Sequence, residues 1–561
     1  MLRLALTLAS LMTIGARLDA APAPATPPAT AVSGHAQLVE LFKEWRGFNH
    51  PKIVDGRPDY GASAMSVKAA RLPEFRQRLK AIDRTGWSAT QIGDYRLVEA
   101  EMNGLDFFLR VLRPWARDPG FYQTVFAEMS DVPAHEGPSA EPNIDLYSFK
   151  YPLSRADDAR LTKLLAAVPA MLADAKVNLA GSQAHELFAY GDRAFLEQAE
   201  VLADLEAGTL VLNDLEGKRR VGLQGASPAL RAAVRNAWLA TADFARWIKT
   251  EAPTRTGPSG VGKDNYNWYL KHVLLSPWTY DQQVLLLQRE LDRSLSSLRL
   301  EEVRNRAAPP IREITDPAEY RRFAESRTAK LYALLVDSGF IPDRSYFRSA
   351  LEGQIGTYVP PAERNFFSNV TALDPLPLSS HQTHWIELAR LRHEPHPSPI
   401  RDVPPLFNIY ADRSEGFATA MEEVVMQAGL YDDIPHGREL VWIMLANRAA
   451  RGLASLRVQA NEIDLAEAGR LHAGWTPRGW SDARSRLVGF EQLIYLRQPG
   501  YGPSYIVGKA QLDHLLAEAS HRADVENRPF VARDAFAAIL ASGIVPPSLI
   551  EAEAAEAKPL P

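Results

Sequence analysis

Apolar residues recur every three or four positions along most of this chain, beginning shortly after Gly34. Leu38, Leu41, Phe42 and Trp45 form the first such group, and their spacing places them on one face of a helix. The same period predicts helices in further segments: 155–178, 182–208, 226–249, 278–306, 316–338, 408–428, 437–461, 504–521 and 532–543. We therefore predict a mainly helical domain over residues 34–545, built as one or two lobes.

Strand-like alternation is rare and short. The segments 358–359 and 147–151 are either minor strands or extended loops. Proline and glycine clusters separate the periodic segments, as at 357–377 and 395–405. The last residues, 546–561, are rich in alanine, glutamate and proline, and we expect a flexible tail there.

The N-terminus has the order of a secretory signal peptide. Arg3 supplies a positive charge, Leu4–Ala16 is an uncharged apolar run, and small residues follow at 20–21. A membrane anchor is the alternative, but this run is shorter than the ~20 residues that a helix needs to cross a bilayer. We predict a signal peptide at 1–20, an extended Ala/Pro-rich linker at 21–33, and a periplasmic or secreted product without a stable membrane span after cleavage.

Composition excludes several classes of site. The net charge is −5 with 23% charged residues, so the basic footprint of a nucleic-acid-binding protein is absent. There are no cysteines, which excludes disulfides, thiolate metal sites and a cysteine nucleophile. The segment 257–263 has the spacing of a phosphate-binding loop, but Asp264 stands where Ser or Thr should bind magnesium.

Among the thirteen histidines, His381 and His384 have the most suggestive setting. Ser379 and Ser380 can cap a helix that continues to Leu391, and on one helix both imidazoles share a face. The alternative is a hydrogen-bonded histidine pair under a loop. Three His-Glu pairs occur elsewhere, including His135-Glu136, but none has a second histidine four positions after the first, as zinc helices have.

A second predicted helix carries Glu415 and Glu422, seven residues apart and therefore on one otherwise apolar face. Buried acids need a partner, which is a metal ion, an arginine or the other acid. Arg448 and Arg451 are candidate partners, so a buried Arg–Glu network is the alternative to a metal site. Further on, the glycine-rich loop 499–509 offers tyrosine hydroxyls at 501 and 505, either to a substrate carbonyl or to ordinary packing.

Three segments together resemble the bacterial domain-of-unknown-function 885 family. Residues 415–422 (EGFATAME) and 429–433 (GLYDD) are similar to that family's E-G-W-A-L-Y-A-E stretch and its G-L-Y-D-D ending. The loop 499–509 is similar to its P-G-x-x-x-x-Y-x-x-G-K motif, and 262–269 is a weaker match. The resemblance spans about 260–520 and implies a large helical, zincin-like peptidase domain with minor β structure, of a kind that is often exported.

The metal motif of that family, H-E-x-x-P-G-H-H-L-Q, is altered in this chain. A gapped alignment sets His381-Gln382 against its first His-Glu pair, which keeps the ligand and replaces the base with an amide. An ungapped alignment through His384 places Leu378-Ser379 there instead. The resemblance therefore carries metal roles to Glu415, His384 and His381, and it carries no general base.

These observations predict a zinc or other divalent-metal site formed by His381, His384 and Glu415. In that scheme Glu422 or Glu387 replaces the missing base, and Tyr505 stabilises the oxyanion. The reaction is hydrolysis of an amide bond in a peptide or peptide-like substrate. The competing hypothesis is a catalytically degenerate family member that binds a peptide or another envelope component. The sequence makes no prediction of the oligomeric state.

Overall fold

The computed structural model describes residues 34–556, so the predicted signal peptide and linker lie outside the described residues. The protein is 66% helical and 4% strand, which confirms the prediction of a mainly helical fold with minor β structure. Within the described range, no helix is both long and apolar enough to cross a membrane.

The first half contains helices and three small sheets. Its helices are Gly34–Asn49 (α1), Ala62–Lys80 (α2), Ala89–Phe107 (α3), Pro114–Arg117 (α4), Arg155–Leu179 (α5), His185–Ala189 (α6), Asp192–Ala207 (α7) and Pro228–Glu251 (α8). Its strands are Ile53–Val54 (β1), Arg57–Pro58 (β2), Val125–Phe126 (β3), Ile144–Asp145 (β4), Leu210–Asp214 (β5) and Gly217–Val221 (β6). The pairs β1–β2 and β5–β6 are antiparallel, and β3–β4 is parallel.

Between residues 263 and 556 the regular structure is entirely helical. Its helices are Lys263–His272 (α9), Tyr280–Arg304 (α10), Pro317–Asp337 (α11), Ser345–Gly353 (α12), Phe366–Leu373 (α13), Leu376–His381 (α14), Thr383–His393 (α15), Ala411–Gln427 (α16), Gly437–Gln459 (α17), Leu465–Trp475 (α18), Arg486–Arg497 (α19), Tyr501–Val525 (α20), Ala532–Ala541 (α21) and Pro547–Glu556 (α22). Short 3-10 turns and a π-helical turn, Phe108–Leu112, connect several of these elements.

Two large apolar cores hold the protein together. One packs α5, α7 and α8 with the strands of the first half, and the other joins α1–α3 to most of the helices after residue 260. Helix α17 is buried along nearly its whole length and packs against α10, α18 and α20. A helix without an exposed face belongs at the centre of a large core, since it has no polar side to present to water.

Helices α16 and α20 approach each other closely because glycines face each other across the contact. A Cβ atom at Gly508 would lie 1.8 Å from the carbonyl oxygen of Asp412, and one at Gly416 would lie 2.3 Å from the Cα of Gly508. Only glycine allows backbones to pack at this distance. This contact brings the first turns of α16 and α20 together, and the candidate site lies beside it.

The segments 358–359 and 147–151, for which both strand and loop were open, are not strands. Three other details differ from the sequence-based expectations. The predicted helix 182–208 is divided at Tyr190–Gly191. The hairpin β5–β6 was missed because it lies between two long helices and is only five residues a strand. The tail predicted as flexible from residue 546 instead forms α22 as far as Glu556. There Leu549 and Ile550 are buried, and Glu553 pairs with Arg401 at 2.5 Å.

Candidate metal centre

Three predicted ligands converge in the structure. Nε2 of His384 lies 3.1 Å from Oε2 of Glu415, and Nε2 of His381 lies 3.7 Å from the same oxygen. All three side chains are buried, and one ligand atom from each lies within 4.8 Å of the others. Ligands at zinc–nitrogen and zinc–oxygen distances in tetrahedral geometry stand about 3.3 Å apart. The residues therefore fit a divalent metal ion.

We predicted that both histidines lie on one helix, but the structure places them on two. His381 ends α14, His384 lies in the first turn of α15, and Gln382 between them has a ψ of 3°, outside the helical range. The serines at 379 and 380 lie inside α14 and cap nothing. The break turns the rings nearly perpendicular, with centroids 4.9 Å apart, and both still reach Glu415.

The outer nitrogen of each ring lies beside another polar group. Nδ1 of His381 lies 3.0 Å from Oε1 of Glu422, and Nδ1 of His384 lies 3.3 Å from the hydroxyl of Ser414. Metal-binding histidines usually have such a partner on the nitrogen that faces away from the ion, because it orients the ring. Both Nε2 atoms therefore face Oε2 of Glu415.

The second oxygen of Glu415 is held by two tyrosines. Its Oε1 lies 2.5 Å from the hydroxyl of Tyr501 and 2.9 Å from that of Tyr505. The Tyr505 hydroxyl, which we predicted to stabilise an oxyanion, thus donates to the ligand carboxylate in this structure. The two hydrogen bonds fix Glu415 so that Oε2 points at the histidines.

The charges at the cluster suit metal ligation. Burial, together with the nearby Arg448, lowers the pKa of His381 well below its usual value, so this ring is neutral near pH 7. Burial opposes ionisation of His384 and Glu415. The charges of Asp131 and Glu415 nevertheless raise the pKa of His384, and His384 lowers that of Glu415. Since metal binding needs a neutral imidazole, an ion would compete with a proton for His384.

Two predicted substitutes for the base are engaged elsewhere. Glu422 is fully buried, and its carboxylate receives Nη2 of Arg448 at 2.5 Å and Nη1 at 2.9 Å. Glu387 forms a buried two-bond pair with Arg413, at 2.7 and 3.1 Å. Both carboxylates are locked to guanidinium groups because burial requires a counter-charge. The predicted Arg–Glu alternative describes Glu422, and Glu387 forms a similar pair that was not predicted. The assignment of either residue as the base stays a prediction.

A cavity of about 1190 Å³ adjoins the cluster and brings in acids from the first half of the chain. Asp131 and Glu136, on the loop between β3 and β4, line it together with Gln382. The hydroxyl of Tyr501 lies 2.9 Å from Oε1 of Glu136 as well as 2.5 Å from Glu415. Sequence reasoning noted the pair His135-Glu136, but local sequence contains no signal that this loop meets residue 415.

Comparison with known proteins identifies relatives of the fold and no function. No family model matches the chain, and no curated protein matches it. Two solved structures share the fold, each with a TM-score of 0.63 over 93% of this chain. One, from Shewanella oneidensis, is described as a "putative lipoprotein of unknown function" (11% identity, 99% of that chain covered). The other, from Colwellia psychrerythraea, is described as a "putative lipoprotein" (13% identity, 98% covered).

Proposed function

We propose that this protein is an exported, divalent-metal-dependent hydrolase of peptide or amide bonds. The observation that carries the proposal is the convergence of His381, His384 and Glu415. A polar group lies beside the outer nitrogen of each ring, and two tyrosine hydroxyls donate to the outer oxygen of Glu415. A catalytic zinc usually has three protein ligands and one open position. When bound, the ion would supply Lewis acidity and an activated water.

The surroundings support hydrolysis better than a purely structural ion. The cluster stands beside a cavity large enough for a short peptide, whereas structural zinc sites are closed by four protein ligands. The resemblance of 415–422 and 499–509 to the domain-of-unknown-function 885 family points to the same class. The signal-peptide pattern of residues 1–20 favours action in the periplasm or outside the cell.

A second candidate is a binding protein that has lost catalysis. Gln382 favours it, because an amide stands where the gapped alignment expects the catalytic glutamate, and its side chain cannot accept a proton from water. In that case the cavity binds a peptide or another envelope component without cleaving it.

The test is metal analysis of the purified protein and of His384→Ala and Glu415→Ala. We expect about one zinc or other divalent ion per chain in the parent protein and loss of that ion in both variants, since each removes a ligand. His393→Ala is the matched control, because His393 is an exposed histidine at the far end of α15. Failure of the parent protein to take up added zinc, or full occupancy in both variants, would contradict the proposal.

Peptide hydrolysis separates the two candidates. The hydrolase proposal expects cleavage of a peptide mixture that stops on chelation and returns with the metal. Metal binding without cleavage of any peptide would favour the binding protein.

A further inference from the structure

Two acids and a tyrosine surround the far side of Glu415 and have no role in holding the metal ligands' rings. Asp131 and Glu136 line the cavity, and Tyr410 stands just before α16. The side chain of Tyr410 is 1% exposed, and its hydroxyl has no hydrogen-bond partner within residues 34–556. Buried hydroxyl groups without a partner are unusual, and each calls for an explanation such as an absent ligand.

The Tyr410 hydroxyl belongs to the same group as the acids. Tyr410 packs in one buried cluster with Val132 and Tyr501, and the charges of Glu136, Glu415 and Asp131 act on its hydroxyl. The distances through Tyr501 place Oε1 of Glu136 within about 5.4 Å of Oε1 of Glu415, since both contact that hydroxyl, at 2.9 and 2.5 Å. The group is thus next to the candidate metal centre, and its two acids line the cavity.

The acids here repel one another when they are ionised. Burial, together with repulsion from Asp131 and Glu415, raises the pKa of Glu136 to about 8. Burial also raises the pKa of Asp131, with Glu415 adding to the shift. The cations that act on these two acids are His384 and Arg451, and the side chain of Arg451 is paired with Glu491. A cationic ligand would relieve this repulsion.

We propose that Asp131, Glu136 and Tyr410 bind the amino group of the substrate, and that the substrates are peptides with a free N-terminus. An ammonium group has three donors, and the two carboxylates and the hydroxyl supply three acceptors. This inference rests on the proposed function and names its substrate class.

The position also selects the bond that is cleaved. One carbon atom separates the α-amino nitrogen of a peptide from its first carbonyl group. An amine bound beside Glu415 therefore brings the first peptide bond to the cluster. Water is the co-reactant: its oxygen becomes part of the carboxylate of the released amino acid, and its protons balance that acid and the new amine of the shortened peptide.

Binding of small probes tests the site without turnover. We would titrate metal-free protein with L-leucine amide and with N-acetyl-L-leucine amide, which lacks the charge, and measure binding by calorimetry. We expect at least tenfold tighter binding of L-leucine amide, and loss of that preference in Asp131→Asn and Glu136→Gln. Glu200→Gln is the control, because Glu200 lines the same cavity at a position 69% exposed. Equal binding of both probes, or binding of neither, would overturn the inference.

Kinetics of the metal-loaded protein distinguish this role from that of a general base. With leucine p-nitroanilide, Glu136→Gln should raise KM at least tenfold and change kcat little. An equal fall of kcat for free and N-acetylated substrates would identify Glu136 as a base and refute the proposed role. If metal binds and N-acetylated peptides are cleaved as fast as free ones, this inference fails while the hydrolase proposal stands. If no metal binds, the hydrolase proposal fails, and the probe titration still decides the amine site.

Discussion

Glu422 offers the sharpest test of how the cluster is held. Its Oε1 contacts two groups at once, Nη2 of Arg448 at 2.5 Å and Nδ1 of His381 at 3.0 Å. Glu422→Gln preserves the shape of the side chain and removes its charge. Glu387→Gln makes the same change in a second buried pair, in which the Glu387 carboxylate accepts hydrogen bonds from Arg413 and not from a histidine ring. The two variants separate loss of a buried ion pair from loss of the histidine's outer partner.

The expected magnitudes follow from these contacts. Both variants leave a buried arginine with a neutral partner, and breaking a buried pair costs about 3–5 kcal/mol of unfolding free energy. Glu422→Gln should in addition weaken metal affinity about 10- to 100-fold, the usual effect of losing an outer partner of a ligand histidine. That factor corresponds to about 1.4–2.7 kcal/mol. Glu387→Gln should change metal affinity little, because its carboxylate acts on His384 only through its charge.

The assay combines urea denaturation of the metal-free proteins with zinc competition against a chromogenic chelator. The reasoning predicts similar destabilisation in the two variants and weakened zinc binding in Glu422→Gln alone. Parent-like zinc affinity in Glu422→Gln, or an equal loss in both variants, would refute the assignment of Glu422 as the group that orients His381.

Two further predictions concern the fold. Gly508→Ala should destabilise the protein by about 3 kcal/mol or more in thermal denaturation, because its Cβ would meet the carbonyl of Asp412 at 1.8 Å. The control Gly474→Ala, with no atom within 4 Å of the added carbon, should gain up to about 1 kcal/mol, and equal effects would contradict the packing argument. The second prediction concerns His472, whose pKa is lowered to about 3 by burial and by the nearby Arg451. Its contribution to the free energy of unfolding is therefore complete above pH 6.5 and is lost as the pH falls. By pH 5 the loss of unfolding free energy is about 2 kcal/mol. Urea denaturation of His472→Gln should therefore show a flatter pH dependence than the parent protein. The same pH dependence in both proteins would mean that His472 is protonated in the folded state.

Local pattern was sufficient for most of the helices. The three- and four-residue period of segments such as 226–249 and 437–461 comes within a few residues of α8 and α17, because each helix records its buried face in its own sequence. The same reasoning failed for α22, where composition indicated a flexible tail. Burial of Leu549 and Ile550 against distant helices outweighs a polar composition, and no local window contains that information.

The candidate ligands were also within reach of sequence, since His381, His384 and Glu415 were identified by residue type, spacing and resemblance. Their partners were not. Whether Glu422 meets Arg448 or a substrate depends on a contact between residues 26 positions apart. Whether Glu136 belongs to the site at all depends on its contact with Tyr501, which is 365 positions away. Sequence periodicity specifies which face of an element is buried, because that depends on neighbouring side chains in the same helix. Only the packing of α14, α15, α16 and α20 with the β3–β4 loop decides which charges meet inside, because desolvation and pairing act between elements that the chain itself keeps far apart.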